Sequence, residues 1–248
     1  MYTNIVAVAL RTVRHNDRSS ILTAWSPSLG RLSLVMPAGN GPESRRRRAL
    51  TMPLCLFECT VDDRGDNELM LAREMKSWGP EGYCPDVSSH PVRATVAMFI
   101  AEVLWVVTRE GDADPVLWNA IVETVSCVAG SKGAALSNLP TGVLLRLANV
   151  LGIEPDFYDY RYGMGFDMID GVFRTTRPMH DHWVANDDLR VLLTVNAALR
   201  DYRHLGLLHL SRNVRTRLMD GILRYFVLHH YPLDRLKSLD VLKAVFSA

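Results

Sequence analysis

The residues of this chain best suited to chemistry are the four adjacent guanidinium groups of Arg45, Arg46, Arg47 and Arg48. Like charges this close repel one another, so the run points to an anionic partner. Residues 1–50 carry eight Arg against Asp17 and Glu43, a local net charge of +6 within a chain whose formal net charge is +1. Arg11, Arg14, Arg18 and Arg31 fall in the neighbouring segments and can share one surface with the run. Such a surface neutralises phosphates and binds with steep salt dependence. The run also suits a solvated edge that discourages sheet aggregation, or a localisation signal. Trp25 offers a ring on which a base could stack; a Trp in a strand is equally an ordinary core residue.

A second basic region follows late in the chain. Residues 190–248 carry ten basic groups against four acids, net +6, while residues 151–189 carry eight acids against three Arg, net −5. Arg200, Arg203, Arg212, Arg215, Arg217 and Arg224 recur through this region. Their three readings are a solvated face, a second DNA surface and a dock for an acidic partner tail. Arg217, Asp220 and Arg224 are spaced for ion pairs along one helix face.

Other constellations carry less. His180 and His182 can share a metal in an extended strand, with Asp187 or Asp188 as a third ligand, but no HExxH helix accompanies them. Cys55 and Cys59, four apart in a strand, would stand about 13 Å apart at ~3.3 Å per residue, too far for a common zinc. With Cys84 and Cys127 they form no CxxC pair and read as core thiols of a reducing compartment. Gly39-Asn40-Gly41 lacks the Lys and helix of a phosphate loop, and there is no GxSxG. The reading tilts away from an enzyme and calls for no cofactor.

The elements that must position these groups change character near residue 80. Strands fit Val6 to Arg14, Arg18 to Ser26, Arg31 to Met36, Leu54 to Val61 and Glu68 to Glu74. In the third, Leu32, Leu34 and Met36 alternate with Arg31 and Ser33. Pro27-Ser28-Leu29-Gly30 makes a hairpin turn with Gly where a positive φ is needed. Five short antiparallel strands with the arginine run in a Gly/Pro loop suggest a small barrel of the OB type, which binds single strands across its second and third strands. From residue 88 the apolar residues recur at helical spacing. Val92, Val96, Ile100, Val103 and Val107 line one face of a first helix, with Phe99, Leu104 and Trp105 widening it. Helices follow at 114–129, 141–151, 187–204, 212–230 and 234–246, with Gly152 and Pro155 as a stop signal. The acidic, aromatic stretch 155–186 reads as an ordered loop or short hairpin. The expected architecture is α+β with two domains, residues 1–80 and 81–248. With 48% hydrophobic and 22% charged residues the chain is globular. The run Ile5 to Leu10 is too short for a leader core, and Ala94 to Val107 is too short to cross a membrane. Both point to the cytoplasm.

Taken in order, several segments resemble the RecO family of bacterial recombinational repair proteins. Ala9 to Thr23 is similar to the family's opening strand and hairpin, Ser28 to Val35 to its Gly-led third strand, and Ser44 to Leu54 to its basic linker before the fourth. Downstream, Phe99 to Leu104, Leu144 to Pro155 and Arg235 to Leu242 resemble the first long helix, the helix ending in Gly-x-x-Pro and the closing helix. The resemblance implies an OB-fold domain followed by a helical domain. It also implies binding to single- and double-stranded DNA, strand annealing, and cooperation with RecR and the single-stranded-DNA-binding protein in loading RecA. Many relatives carry a four-cysteine zinc module after the Gly-x-x-Pro segment; residues 155–186 here hold no Cys, so no metal is expected. Tyr158, Tyr160, Tyr162, Phe166 and Phe173 would fill that space by packing.

The sequence therefore reads as a non-catalytic DNA-binding mediator in which Arg11, Arg14, Arg18, Arg31 and Arg45 to Arg48 position phosphates. Its rivals are a scaffold whose basic surfaces meet acidic protein tails and a metal-dependent hydrolase built on His180 and His182.

Overall fold

The computed structural model describes residues 2–62, 69–79, 90–108 and 113–246. The chain divides into two compact units, Met1–Gly130 and Ser131–Ala248. The change from strand to helix near residue 80 is thus a different boundary from the division between compact units, because two helices group with the strands.

The first unit is built on a closed barrel of β1 (Tyr2–Asn16), β2 (Ser19–Ser26), β3 (Gly30–Pro37), β4 (Leu56–Asp62) and β5 (Leu69–Ser77), in the order β1-β2-β3-β5-β4 with β4 returning to β1. This is the OB-fold arrangement. Its interior is filled by alternate residues, among them Ile5, Ala7, Ala9, Leu22, Ala24, Leu34, Met36 and Phe57. Asn16 sets the first hairpin: its side chain accepts from the Arg18 N–H at 2.8 Å and the Ser19 hydroxyl at 3.0 Å, a turn chemistry typical of Asn. Gly30 supplies the positive φ of the second, at 67°.

Two expectations are corrected. The pair β3–β5 is parallel, with Val35 opposite Leu71, so the barrel is not wholly antiparallel. The reason is an element absent from the sequence reading: helix α1 (Pro42–Leu50) lies between β3 and β4 and takes up the arginine run. Pro42 and Glu43 open it, Arg47 and Arg48 close it, all in keeping with the helix dipole. Its inward residues are Ser44 and Leu50, and Leu50 joins the barrel core. Two anchors six positions apart leave no apolar periodicity to read.

Outside the barrel, α2 (Pro91–Val107) and α3 (Pro115–Gly130) complete the unit. His90 caps α2 by accepting from the Arg93 N–H, and Val96, Phe99, Ile100, Val103 and Leu104 are buried, as their spacing predicts. Cys59 and Cys127 are not in disulfides. Cys55 is disulfide-bonded, which corrects the reading of four thiols; Cys84 lies outside the described residues.

The second unit holds α4 (Gly133–Val150), α5 (Asn186–Ala198), α6 (Arg212–Leu228) and α7 (Ser238–Val245). Helix α4 begins well before 141 and runs through Pro140, and the predicted helix over 187–204 breaks after Ala198 into a short 3-10 turn, Tyr202–Leu207. Asn138, buried in α4, donates to the Leu205 and Leu208 carbonyls at 2.9 and 2.8 Å and holds that turn. Gly142 lets it come close, since a Cβ there would meet a Leu205 methyl at 2.8 Å. The acidic stretch contains a small sheet of β6 (Gly165–Asp167), β7 (Val172–Arg174) and β8 (Trp183–Val184), in the order β7-β6-β8. Phe157, Tyr160 and Phe166 pack round Phe173, and Phe166 meets Tyr225. Tyr158 and Tyr162 stand in solvent and take no part in that packing. Among the described residues no helix is long and apolar enough to cross a membrane.

Candidate nucleic-acid interface

Helical geometry fans the arginine run. Successive residues turn by about 100°, so Arg45 and Arg48 share a face while Arg46 and Arg47 diverge from it. Arg45, Arg46 and Arg48 are exposed and Arg47 is half-buried. The Arg47 guanidinium donates to the Ser44 hydroxyl at 3.3 Å, and Arg48 reaches the Ser44 and Gly39 carbonyls at 3.4 and 3.3 Å. Arg47 and Arg48 are thereby tied to the first turn of α1 and to the segment that leads into it.

The β1–β2 hairpin meets this helix. Thr12 donates to the carbonyl of Thr51, just past the end of α1, at 3.1 Å, and the Ala38 N–H donates to Arg18 O at 2.7 Å. Arg14 is two residues from Thr12 on the same strand face, so Arg14 and Arg18 fall on the α1 side. Arg14 pairs with Asp17, but the two side chains are 75% and 92% exposed. A pair that open to water contributes little and yields readily to another anion.

Arg11 and Arg31 belong elsewhere. Arg11, one residue out of phase with Thr12, lies with its guanidinium carbon 5.5 Å from the centre of the Trp105 ring on α2. Arg31 lies 5.7 Å from the same ring and donates to the Trp105 and Thr108 carbonyls at the end of that helix. Helix C-termini leave carbonyls without partners and favour cations. Arg31 is therefore a structural cap, which corrects its assignment to a phosphate track. Trp25 is corrected too: it is fully buried and stacks on Trp118 of α3 at 6.4 Å and 29°, so no base can reach it. The sequence reading missed Trp105. A signal existed, because Trp105 sits about 200° round the helix from Val103 and so off the buried stripe.

In the second unit the basic residues are mostly engaged. Arg203 holds Asp201, lowering that carboxyl to about 2. Arg217 donates to Asp188 at 2.9 and 3.1 Å and Arg224 to His182 Nδ1 at 3.0 Å. Asp220 pairs with Lys243. These links run between elements, which corrects the picture of ion pairs along α6. Arg215 donates to the Leu210 carbonyl at 2.9 Å and lies over Phe246, and burial lowers its pKa. Arg200 and Arg212 are exposed.

His180 and His182 are committed to hydrogen bonds. His180 Nδ1 accepts from the His182 N–H at 3.2 Å and its Nε2 faces Asp167 Oδ1 at 3.3 Å, while His182 Nδ1 accepts a hydrogen bond from the Arg224 Nε–H. Asp187 and Asp188 lie in the first turn of α5. Among the described residues no group of three His, Cys, Asp or Glu could hold a metal. A separate cavity of about 380 Å³ in this unit is lined by Phe166, Met168, Leu192 and Ile222, with Arg177 and Arg217 among its polar groups.

Comparison with known proteins adds to this geometry. A family described as the N-terminal part of recombination protein O matches residues 1–79. A protein named DNA repair protein RecO from Phocaeicola vulgatus is 30% identical over 248 residues, all of both chains. Proteins of that name from Bacteroides fragilis and Azobacteroides pseudotrichonymphae are 29% and 28% identical, covering 99% and 97% of this chain and 100% and 97% of theirs.

Proposed function

The chain belongs to the RecO family, and from that premise we propose that it is a non-catalytic DNA-binding mediator of recombinational repair. The observation that carries this reading is that α1 and the hairpin beside it carry Arg14, Arg18, Arg45, Arg46 and Arg48, all exposed, with Asp17 and Glu43 as the accompanying acids. Arginine suits phosphates because its planar fork engages two oxygens at once. Contacts confined to the backbone are blind to sequence, which is what binding both single and double strands, and annealing them, requires. The family further supports cooperation with RecR and delivery of DNA to RecA. For the single-stranded-DNA-binding protein, whose tail is acidic, the candidate dock is the cavity edged by Arg177 and Arg217: its walls are largely apolar, and a tail carboxylate would displace Asp181 from Arg177 or Asp188 from Arg217. All of these are partners of a cytoplasmic protein.

A salt titration tests the reading. Replacing Arg45, Arg46 and Arg48 with Ala lowers the slope of log affinity against log salt for duplex DNA by about 2 to 3, at roughly 0.9 per phosphate contact. Unchanged affinity and slope in that variant would remove α1 from the interface.

A further inference from the structure

We infer that the opposite face of β1 holds a second nucleic-acid subsite, at which an unpaired base stacks on the Arg11 guanidinium above Trp105. The inference rests on the DNA-binding reading and goes beyond it, because it separates single strands from duplexes. Three observations meet there. Arg31 fixes the last turn of α2 through the Trp105 and Thr108 carbonyls, so the half-buried indole is held in place. Arg11 is exposed, and among the described residues no ion pair holds it; its guanidinium carbon lies 5.5 Å from the centre of the indole, and exposed guanidinium groups are surfaces on which bases stack. Beyond Arg11, the outward face of the barrel carries a cross-strand row, Val13 opposite Ile21, Ile21 opposite Val35, and Val35 opposite Leu71.

That row is unusual for a water-facing sheet. Val13 and Leu71 are each 39% exposed, and β1, β2 and β3 contain no acidic residue at all. An apolar row beside a cation, with no competing carboxylate on those strands, suits a ligand that is flat, apolar and negatively charged. An unpaired nucleotide has those properties; a paired base, locked in its stack, does not offer its face. Position along β1 then divides the work. Arg14 faces the α1 surface and phosphates of either form, and Arg11 faces the base of a single strand.

The test uses the full-length protein with labelled oligo(dT), an abasic strand of the same length and a duplex. Arg11→Lys keeps the charge and removes the plane; Trp105→Leu removes the ring beneath it. Both lose on the order of ten-fold in affinity for oligo(dT), the size of one stacked base, and keep duplex affinity. An oligonucleotide carrying 5-iododeoxyuridine cross-links to the peptide that contains Trp105. Wild-type affinity of Arg11→Lys for oligo(dT), equal losses on oligo(dT) and duplex, or cross-links on α1 alone would each overturn the inference and leave the α1 surface standing. Should Trp105→Leu fail to fold, Arg11→Lys and the cross-link decide. Failure of the wild-type protein to bind any of the probes would overturn the underlying reading, and this one with it.

Discussion

Arg31→Met separates a structural arginine from a DNA-binding one. One Arg31 nitrogen donates to the Trp105 and Thr108 carbonyls, and Thr108 is only 2% exposed, so its carbonyl gains no water when the guanidinium is removed. A charge-assisted bond of this kind contributes about 1.5 to 3 kcal/mol. The contact with Trp105 adds about 0.5 to 1 kcal/mol. Methionine keeps the packing of the aliphatic stem, and interactions sharing one side chain do not add fully. The net loss is about 3 kcal/mol.

In urea, with a slope of about 2 kcal/mol per molar, that loss moves the unfolding midpoint of the barrel-containing unit down by about 1.5 M. Tryptophan fluorescence follows the transition, since Trp25, Trp78, Trp105 and Trp118 all lie in this unit. Duplex affinity and its salt slope, measured well below the midpoint, stay at the wild-type values. The reverse pattern, unchanged stability with a slope lowered by about 0.9, would refute the capping role and return Arg31 to the phosphate surface.

Three further substitutions probe other parts of the molecule. Burial raises the pKa of Asp167, while N–H groups of Asp170 and Ile169, with His180 and Arg174, lower it, and the lowering prevails. Its stabilisation is therefore complete above the unfolded value of about 4 and is lost as pH falls through the lower native value; Asp167→Asn costs about 3 kcal/mol at neutral pH and flattens the acid limb of a stability–pH curve. Trp25→Ala destabilises by about 3 to 5 kcal/mol in chemical denaturation, whereas Trp25→Phe binds oligonucleotides as the wild type does at every salt concentration. Arg177→Glu weakens binding of an acidic peptide by about ten-fold in anisotropy, near the loss of one charge-assisted bond.

The strands and long helices were legible because their buried faces repeat. Leu32, Leu34 and Met36 alternate into the barrel, and Val96, Ile100, Val103 and Val107 line α2. Helix α1 was not legible, because it is held by Ser44 and Leu50 alone, and four arginines between two glycines and a proline look like a loop. The parallel pairing of β3 with β5 followed from that miss, since α1 and β4 together make the long connection that parallel neighbours need. The fate of Arg31 and Trp25 was equally hidden: each faces a helix 74 or more residues away along the chain or stacks on one, and no local pattern reports such partners.

The alternation of β1 settles why a block of charge does not act as one surface. Arg11 and Arg14 are three residues apart, an odd number, so their side chains leave the strand on opposite sides. The register with β2 agrees: Arg14 lies opposite Ser20 in phase with buried Leu22, and Arg11 lies opposite Thr23 in phase with Ile21. Thr12, in phase with Arg14, reaches the end of α1, while Arg11 reaches Trp105 on α2. A one-residue deletion between Arg11 and Arg14 would bring both onto one face, but only by reversing one side of a strand whose earlier residues fill the barrel and whose later ones form the hairpin. The fold thus fixes the separation of the two cationic faces more firmly than any single arginine does. The proposed phosphate-binding surface on one side of the strand and the proposed stacking site on the other both follow from the same two-residue repeat.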